Sequence, residues 1–209
     1  MATTQTAKEF IRAITQRRSV YALSNKPVQS PQRVNELVKV ALREAPSSFN
    51  IQSSRAAILT GKEHLYNWKE IVPSALLKAA GQTALDKSRA KLDMFAAGTG
   101  TILFYEDLNV VKGIQEKFPL YADSFPIWSR HSSGMAQIYT WTLLEAEGFG
   151  ANLQHYGNLT QEMLAEKYNI PKSWQLQAEM VFGHPEKPAG EKSYMPDHER
   201  VLAFGDDTQ

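Results

Sequence analysis

Ala45-Pro46-Ser47-Ser48-Phe49-Asn50-Ile51-Gln52 decides how this chain is read. It follows an amphipathic run and precedes an apolar one, so the chain turns here from one element to the next. Two hydroxyls, two amides and a proline-fixed bend make a poor core but a good clamp for a polar, planar ligand. Upstream, Ser30-Pro31 is a strong helix start, with Ser30 as N-cap and Pro31 in the first turn. Val34, Leu37, Val38, Ala41 and Leu42 follow at helical spacing, which predicts a helix to about Glu44 that stops before Pro46. Downstream, Arg55 to Thr60 reads as a buried strand that Gly61 ends.

Further out, residues 5 to 17 predict a first helix with Phe10, Ile11 and Ile14 on one side. Helix is expected from Lys62 to Val72, then, after a break at Pro73, from Ser74 to Ala80 and from Thr83 to Ala97. Gly98 to Gly100 reads as a turn, and Thr101 to Tyr105, β-branched and aromatic, as the clearest strand. Leu108, Val111 and Ile114 suggest a short helix. His131 to Glu147 is the longest candidate helix, C-capped by Gly148, and it runs on into a strand. Thr160 caps a helix to Tyr168, and Gln175 to Phe182 is a further strand. The tail is irregular, yet Val201, Leu202 and Phe204 are too apolar to float free, so an edge strand is expected there, on this chain or on another subunit. Few strands, far apart and separated by helices, argue for an α+β fold with a small sheet rather than a doubly wound one.

A chain of 209 residues suggests a single domain, spanning 1–209, with a sizeable core. The net charge of +1 gives no case for steering toward nucleic acid or a membrane. No stretch is long and apolar enough to span a bilayer, and Met1 to Phe10 has no apolar signal core. The absence of cysteine removes disulfides, thiolate metal sites and a cysteine nucleophile, and fits a reducing cytoplasm. The five histidines have no metal-ligand spacing. There is no Walker loop, no GxSxG elbow and no GxGxxG turn.

Four places remain for chemistry. Arg17-Arg18-Ser19 offers planar donor forks and a hydroxyl suited to an anion, although arginines also close helices favourably. Pro46 to Gln52 is the clamp described above. Gly148 to Gly157 strings amides and an imidazole after the longest helix. Lys192 is a tail lysine that gains interest only if the tail folds back toward Arg17.

In this order the motifs resemble the nitroreductase family of FMN-dependent oxidoreductases, from about Phe10 to Phe204. The carriers are Arg17-Arg18-Ser19, Ala45 to Gln52, Gly61-Lys-Glu-His64 with Trp68, Gly148 to Tyr156, and Phe182-Gly183 followed by Lys192. The likeness is greatest to the short subgroup of fungi and bacteria called fatty-acid-repression-mutant-like. The resemblance implies a small, mainly antiparallel sheet flanked by helices. It also implies an intertwined homodimer with an exchanged C-terminal tail, residues 183–209 packing on the partner, and two FMN molecules at the interface. Arg17, Arg18 and Ser19 are then expected to contact flavin phosphate and ring. Pro46, Ser47, Ser48 and Asn50, with Gln52, are expected to reach the partner's flavin. Leu153, Gln154 and His155 are expected along the ring edge, and Lys192 on the phosphate. NADH or NADPH would be the donor, and a flat nitroaromatic or quinone the acceptor, walled by Phe49, Trp68 and Phe125. Two positions depart from the family pattern by lowering the positive charge: Tyr194 lies two places after Lys192, and Tyr21 follows the arginine motif. A flavin- or lipid-responsive binding protein of low turnover on the same fold is the rival expectation.

Overall fold

Strand β5 (Trp174–Pro185) is the axis of the protein. The structure, a computed structural model, describes residues 4–205. On one edge β5 pairs antiparallel with β3 (Gly100–Asp107), from Gly100 opposite Phe182 to Asp107 opposite Trp174, with a register shift between Phe104 and Tyr105. On the other edge it pairs antiparallel with β4 (Gly150–Gln154), from Gly150 opposite Gly183 to Gln154 opposite Glu179. Strand β2 (Ser54–Thr60) lies outside β3, and the two-residue β1 (Leu23–Ser24) meets the end of β5, both antiparallel. The expected small antiparallel sheet is therefore present.

Helices cover both faces, which is why β3 is apolar without alternation. One face, including Ile102, Phe104, Met180 and Phe182, packs on Val34, Leu37 and Val38 of α2 (Pro31–Glu44) and on Trp141 and Leu144 of α6 (Phe125–Ala146). The opposite face carries Thr101, Leu103, Tyr105, Glu179 and Val181. It is covered by α3 (Gly61–Tyr66), a π turn (Asn67–Ile71), α4 (Val72–Ala96) and α7 (Gly157–Tyr168). Helix α1 (Thr4–Gln16) lies against α6, and α5 (Leu108–Lys117) joins β3 to a 3-10 turn over Pro119–Ser124.

Several boundaries differ from the sequence reading, and prolines explain most of them. Pro73 does not break the helix. It is the second residue of α4, and the helix runs on through it from α3 by way of a π turn, whose wider winding absorbs the proline ring and its missing N–H. Pro126 stands in the first turn of α6, so that helix begins at Phe125 rather than His131. The gap expected between Ala80 and Thr83 is real: Gly81, at φ 78° and ψ 177°, kinks α4 with a conformation essentially reserved for glycine. Gly100 belongs to β3 rather than to a turn. Helix α7 starts at Gly157, ahead of Thr160, whose hydroxyl donates to the carbonyl of Tyr156 within the first turn. The tail forms one 3-10 turn, Asp197–Glu199, and Val201 to Phe204 pair with no strand among the described residues. Phe204 is 89 % exposed.

Candidate functional site

The arginine segment leaves α1 and is zipped onto β4. Ser19 forms a parallel bridge with Ala151, and Val20 donates its N–H to the Ala151 carbonyl at 2.9 Å. Behind it a buried amide ladder holds the register: Asn152 Nδ2 donates to the Val20 carbonyl at 2.9 Å, and Gln154 Nε2 donates to Asn152 Oδ1 at 2.8 Å. The Arg17 guanidinium lies 4.5 Å over the Trp141 ring and has no hydrogen-bond or ion-pair partner among the described residues. Nearby, Glu145 is held above its usual carboxyl range by burial, partly offset by the charge of Arg17. Arg18 donates from Nη2 to the Gly190 carbonyl at 2.6 Å, so the tail does fold back to this segment. Together Arg18, Glu145, Phe149, Glu186 and Lys187 help line a cleft of about 650 Å³.

The clamp, Pro46 to Gln52, is wound tightly. Phe49 (φ 56°), Asn50 (φ 54°) and Gln52 (φ 51°) are all left-handed, a conformation that strains a side chain other than glycine. The turn holds them there: Asn50 N–H donates to the Ser47 carbonyl at 2.9 Å, and Gln52 N–H to Ser47 Oγ at 3.0 Å. Just beyond, buried Glu106 accepts from the hydroxyls of Ser53 and Ser54, each at 2.5 Å, and burial raises its pKa. The Phe49 ring, 52 % exposed, rests on Phe118 (4.9 Å), Phe125 (5.4 Å) and Tyr121 (6.0 Å between centroids). Ser47, Gln52, Arg55 and Ser132 contribute to a cavity of about 290 Å³ at this end.

At the end of β4, Leu153 is half-buried, Gln154 buried and His155 exposed. Next to them, Tyr156 N–H donates to Oε2 of Glu179 at 2.9 Å. Glu179 is 1 % exposed, and burial pushes its carboxyl up to about 7. On the same sheet face His64 is also buried. Its Nδ1 is 2.8 Å from Thr101 Oγ1, to which Trp68 Nε1 donates at 2.8 Å, and burial pulls its imidazole down to about 4.

The structure therefore brings Arg17, Arg18 and Ser19 together with β4 and the start of the tail. It does not bring Pro46 to Gln52 to them within one chain. No hydrogen bond, ion pair or ring contact among the described residues joins the two groups. Ser132 and Trp141 mark the two ends, about 14 Å apart along α6. Lys192 is exposed, stacked 4.7 Å from the Tyr194 ring, with no ion-pair partner among the described residues. Two expected wall residues are corrected. Trp68 is fully buried against Phe95 and Tyr156, and Phe125 is fully buried beneath Phe49, so only Phe49 of the three faces outward. Sequence reasoning did not single out Trp141 or Glu179. The usable signal for Glu179 was one acidic residue inside the apolar run Ala178 to Phe182.

A helix-sandwiched antiparallel sheet with two polar half-clefts divided by its longest unkinked helix defines a class of small α+β protein. The chain belongs to the nitroreductase family, whose model matches residues 14–184. Nitroreductase CinD from Lactococcus lactis, solved in complex with chloramphenicol and also with 4-nitrophenol, is 45% identical. It superposes with a TM-score of 0.86 over 94% of this chain and 100% of its own. Among the yeast proteins of Saccharomyces cerevisiae, HBN1 is 37% identical over 189 residues and nitroreductase FRM2 32% over 191, each match covering 89% of this chain and 93% of the relative. These fungal relatives agree with the subgroup that the motifs suggested.

Proposed function

We propose that this protein is an FMN-dependent oxidoreductase that uses NADH or NADPH to reduce flat nitroaromatics or quinones by two-electron hydride transfer. The observation that carries this reading is the division of the motifs between the two ends of α6. Each end keeps polar groups unspent, and neither makes a complete pocket. A homodimer joins them: Pro46, Ser47, Ser48, Asn50 and Gln52 of one copy complete the cleft of Arg17, Arg18, Ser19, Leu153, Gln154, His155 and Lys192 on the other. The apolar groove of about 390 Å³ among α1, α2 and α6, lined by Phe10, Ile14, Val40, Ile138 and Tyr139, supports such an assembly, as do the exposed Tyr194, Leu202 and Phe204 of the tail.

The residues present fit the cofactor. Arg17 is a guanidinium resting on Trp141 with no ion-pair partner among the described residues, which suits a phosphate, and Lys192 is a second cation without an ion-pair partner among them. The left-handed turn at 49–52 leaves Asn50 exposed, with an amide to offer a ring edge. Bound FMN supplies the hydride chemistry, so the chain needs no acid–base dyad of its own. The chain binds and orients it, and Phe49 provides an apolar rest for an acceptor. CinD has been solved with 4-nitrophenol, which supports the acceptor class.

The test is direct. Purified protein is yellow, sediments as a dimer and loses its flavin absorbance with NADH or NADPH. Arg17→Ala weakens FMN binding without dissociating the dimer. A colourless protein that takes up no FMN sinks the reading. The rival, a slowly turning flavin- or lipid-responsive binding protein, is favoured by Tyr194 where a second cation would strengthen retention. Rapid multiple turnover with a nitroaromatic excludes it.

A further inference from the structure

We propose that Glu179 is a positioning residue whose proton occupancy sets the β4–α7 junction, the segment Leu153 to Tyr156. The positioning stands on the structure of this chain, and its effect on catalysis rests on the flavin reading above. Glu179 faces the interior from the middle of the sheet, opposite Leu103 on β3 and Gln154 on β4. One carboxyl oxygen, Oε2, holds the backbone N–H of Tyr156 at 2.9 Å, two residues past the end of β4 and immediately before α7. The other, Oε1, is buried without a hydrogen-bond partner among the described residues, as is the hydroxyl of Tyr105.

The neighbours explain why this carboxyl titrates where it does. From β3, Tyr105 feels the Glu179 charge and is itself pushed up, chiefly by burial. Tyr156, from the junction, is raised by burial and by Glu179. Thr160 on α7 lies close enough to lower it, although its hydroxyl donates to the Tyr156 carbonyl, and Tyr168 on α7 acts on Tyr105. His64, from α3, lies on the same sheet face and is kept neutral by burial. No cation is among the groups acting on Glu179, so burial dominates and its neutral form persists to about pH 7. Each protonation state needs a different bonding pattern. The neutral acid must donate its own O–H, whereas the anion only accepts and grips Tyr156 N–H with a charge-assisted bond about twice as strong. The junction that carries Gln154 and His155 is thus tied to a group that changes state near neutrality.

The full-length protein decides this by a pH titration of amide resonances. Residues 153–157 are expected to share an inflection within about one pH unit of 7. Glu179→Gln, which keeps an acceptor for Tyr156 N–H, abolishes it, and His155→Gln does not. An inflection that survives Glu179→Gln but disappears in His155→Gln belongs to the imidazole and overturns the proposal, as does its absence from the unsubstituted protein. Should Glu179→Gln fail to fold, infrared spectra of carboxyl-labelled protein decide the matter: a protonated carboxyl band that fades near neutrality supports the assignment, and no such band overturns it. With FMN bound, kcat shows the same inflection, which Glu179→Gln flattens while KM stays constant. A flat profile before substitution overturns the catalytic link. Failure to bind FMN removes the flavin reading alone, since the resonances still report the junction.

Discussion

Arg18 reaches across 172 positions of sequence to donate a 2.6 Å hydrogen bond to the carbonyl of Gly190. This bond ties the exposed tail to the segment that zips onto β4. Arg18 is half-buried and the tail beyond Gly190 is open, so the bond orders the tail rather than the core. Arg18→Ala is expected to speed tryptic cleavage after Lys192 several-fold (Lys187 precedes Pro188 and is not cut), while the unfolding free energy changes by no more than about 1 kcal/mol. Limited proteolysis followed by mass spectrometry checks it, and Arg18→Lys, which retains a donor, recovers part of the protection.

Most of the architecture was legible because it rests on local rules. Ser30 caps α2 by accepting from the Arg33 N–H at 3.1 Å, Pro31 follows it, and the apolar run of β3 has no polar alternation to mislead. Prolines misled where they open helices, because a breaker and a first-turn residue look alike without knowledge of the preceding turn. The site was legible as motifs but not as a place. Nothing in Arg17 or Ser47 states that α6 stands between them, or that Trp141 carries the guanidinium, because those relations are set by packing. Glu179 was hidden for a related reason: it continues the alternation of Gln175 and Gln177, which reads as a solvent face, and only the packing shows that it is buried.

Gly183 is where β5 is squeezed between β1 and the turn before β3. A Cβ there would lie 2.6 Å from the Ser24 carbonyl oxygen, 3.0 Å from Thr99 N and 3.2 Å from Gly98 Cα, all backbone atoms that cannot rotate away. Gly183→Ala is therefore expected to destabilise the protein by about 3 kcal/mol or more, the range of severe overpacking. Chemical denaturation checks it. Gly113→Ala, at a helical position with open space around the new methyl, is the control and is expected to stabilise by roughly 0.5–1 kcal/mol.

Phe49 combines left-handed strain with a half-exposed ring, and two substitutions separate these. Phe49→Ala loses the ring contacts with Phe118 and Phe125 and keeps the strain. Phe49→Gly loses the same contacts and relieves it. The glycine variant is expected to be the more stable of the two by about 1 kcal/mol, the reverse of the usual order in a helix. If the ring also supports an acceptor, both variants raise KM for a nitroaromatic and leave FMN retention unchanged. Melting curves and steady-state kinetics on the same preparations read both effects.

His64 and Glu179, buried on one face of the sheet, give stability opposing dependences on pH. Burial lowers His64 from 6.5 to about 4, so between those values the unfolded chain binds more protons and stability falls as the solution is acidified. Burial raises Glu179 from 4.5 to about 7, so between those values the folded chain binds more protons and stability falls as pH rises. Each effect is worth about 3 kcal/mol at ~1.4 kcal/mol per pH unit. From about pH 4.5 to 6.5 the two oppose each other and largely cancel. Removing one exposes the other. Glu179→Gln is expected to lose melting temperature steadily from pH 6.5 to 4.5, whereas His64→Gln gains it over the same range. Matching slopes in the two variants would show that these buried groups do not titrate as their surroundings dictate, and differential scanning calorimetry at four or five pH values is enough to see which holds.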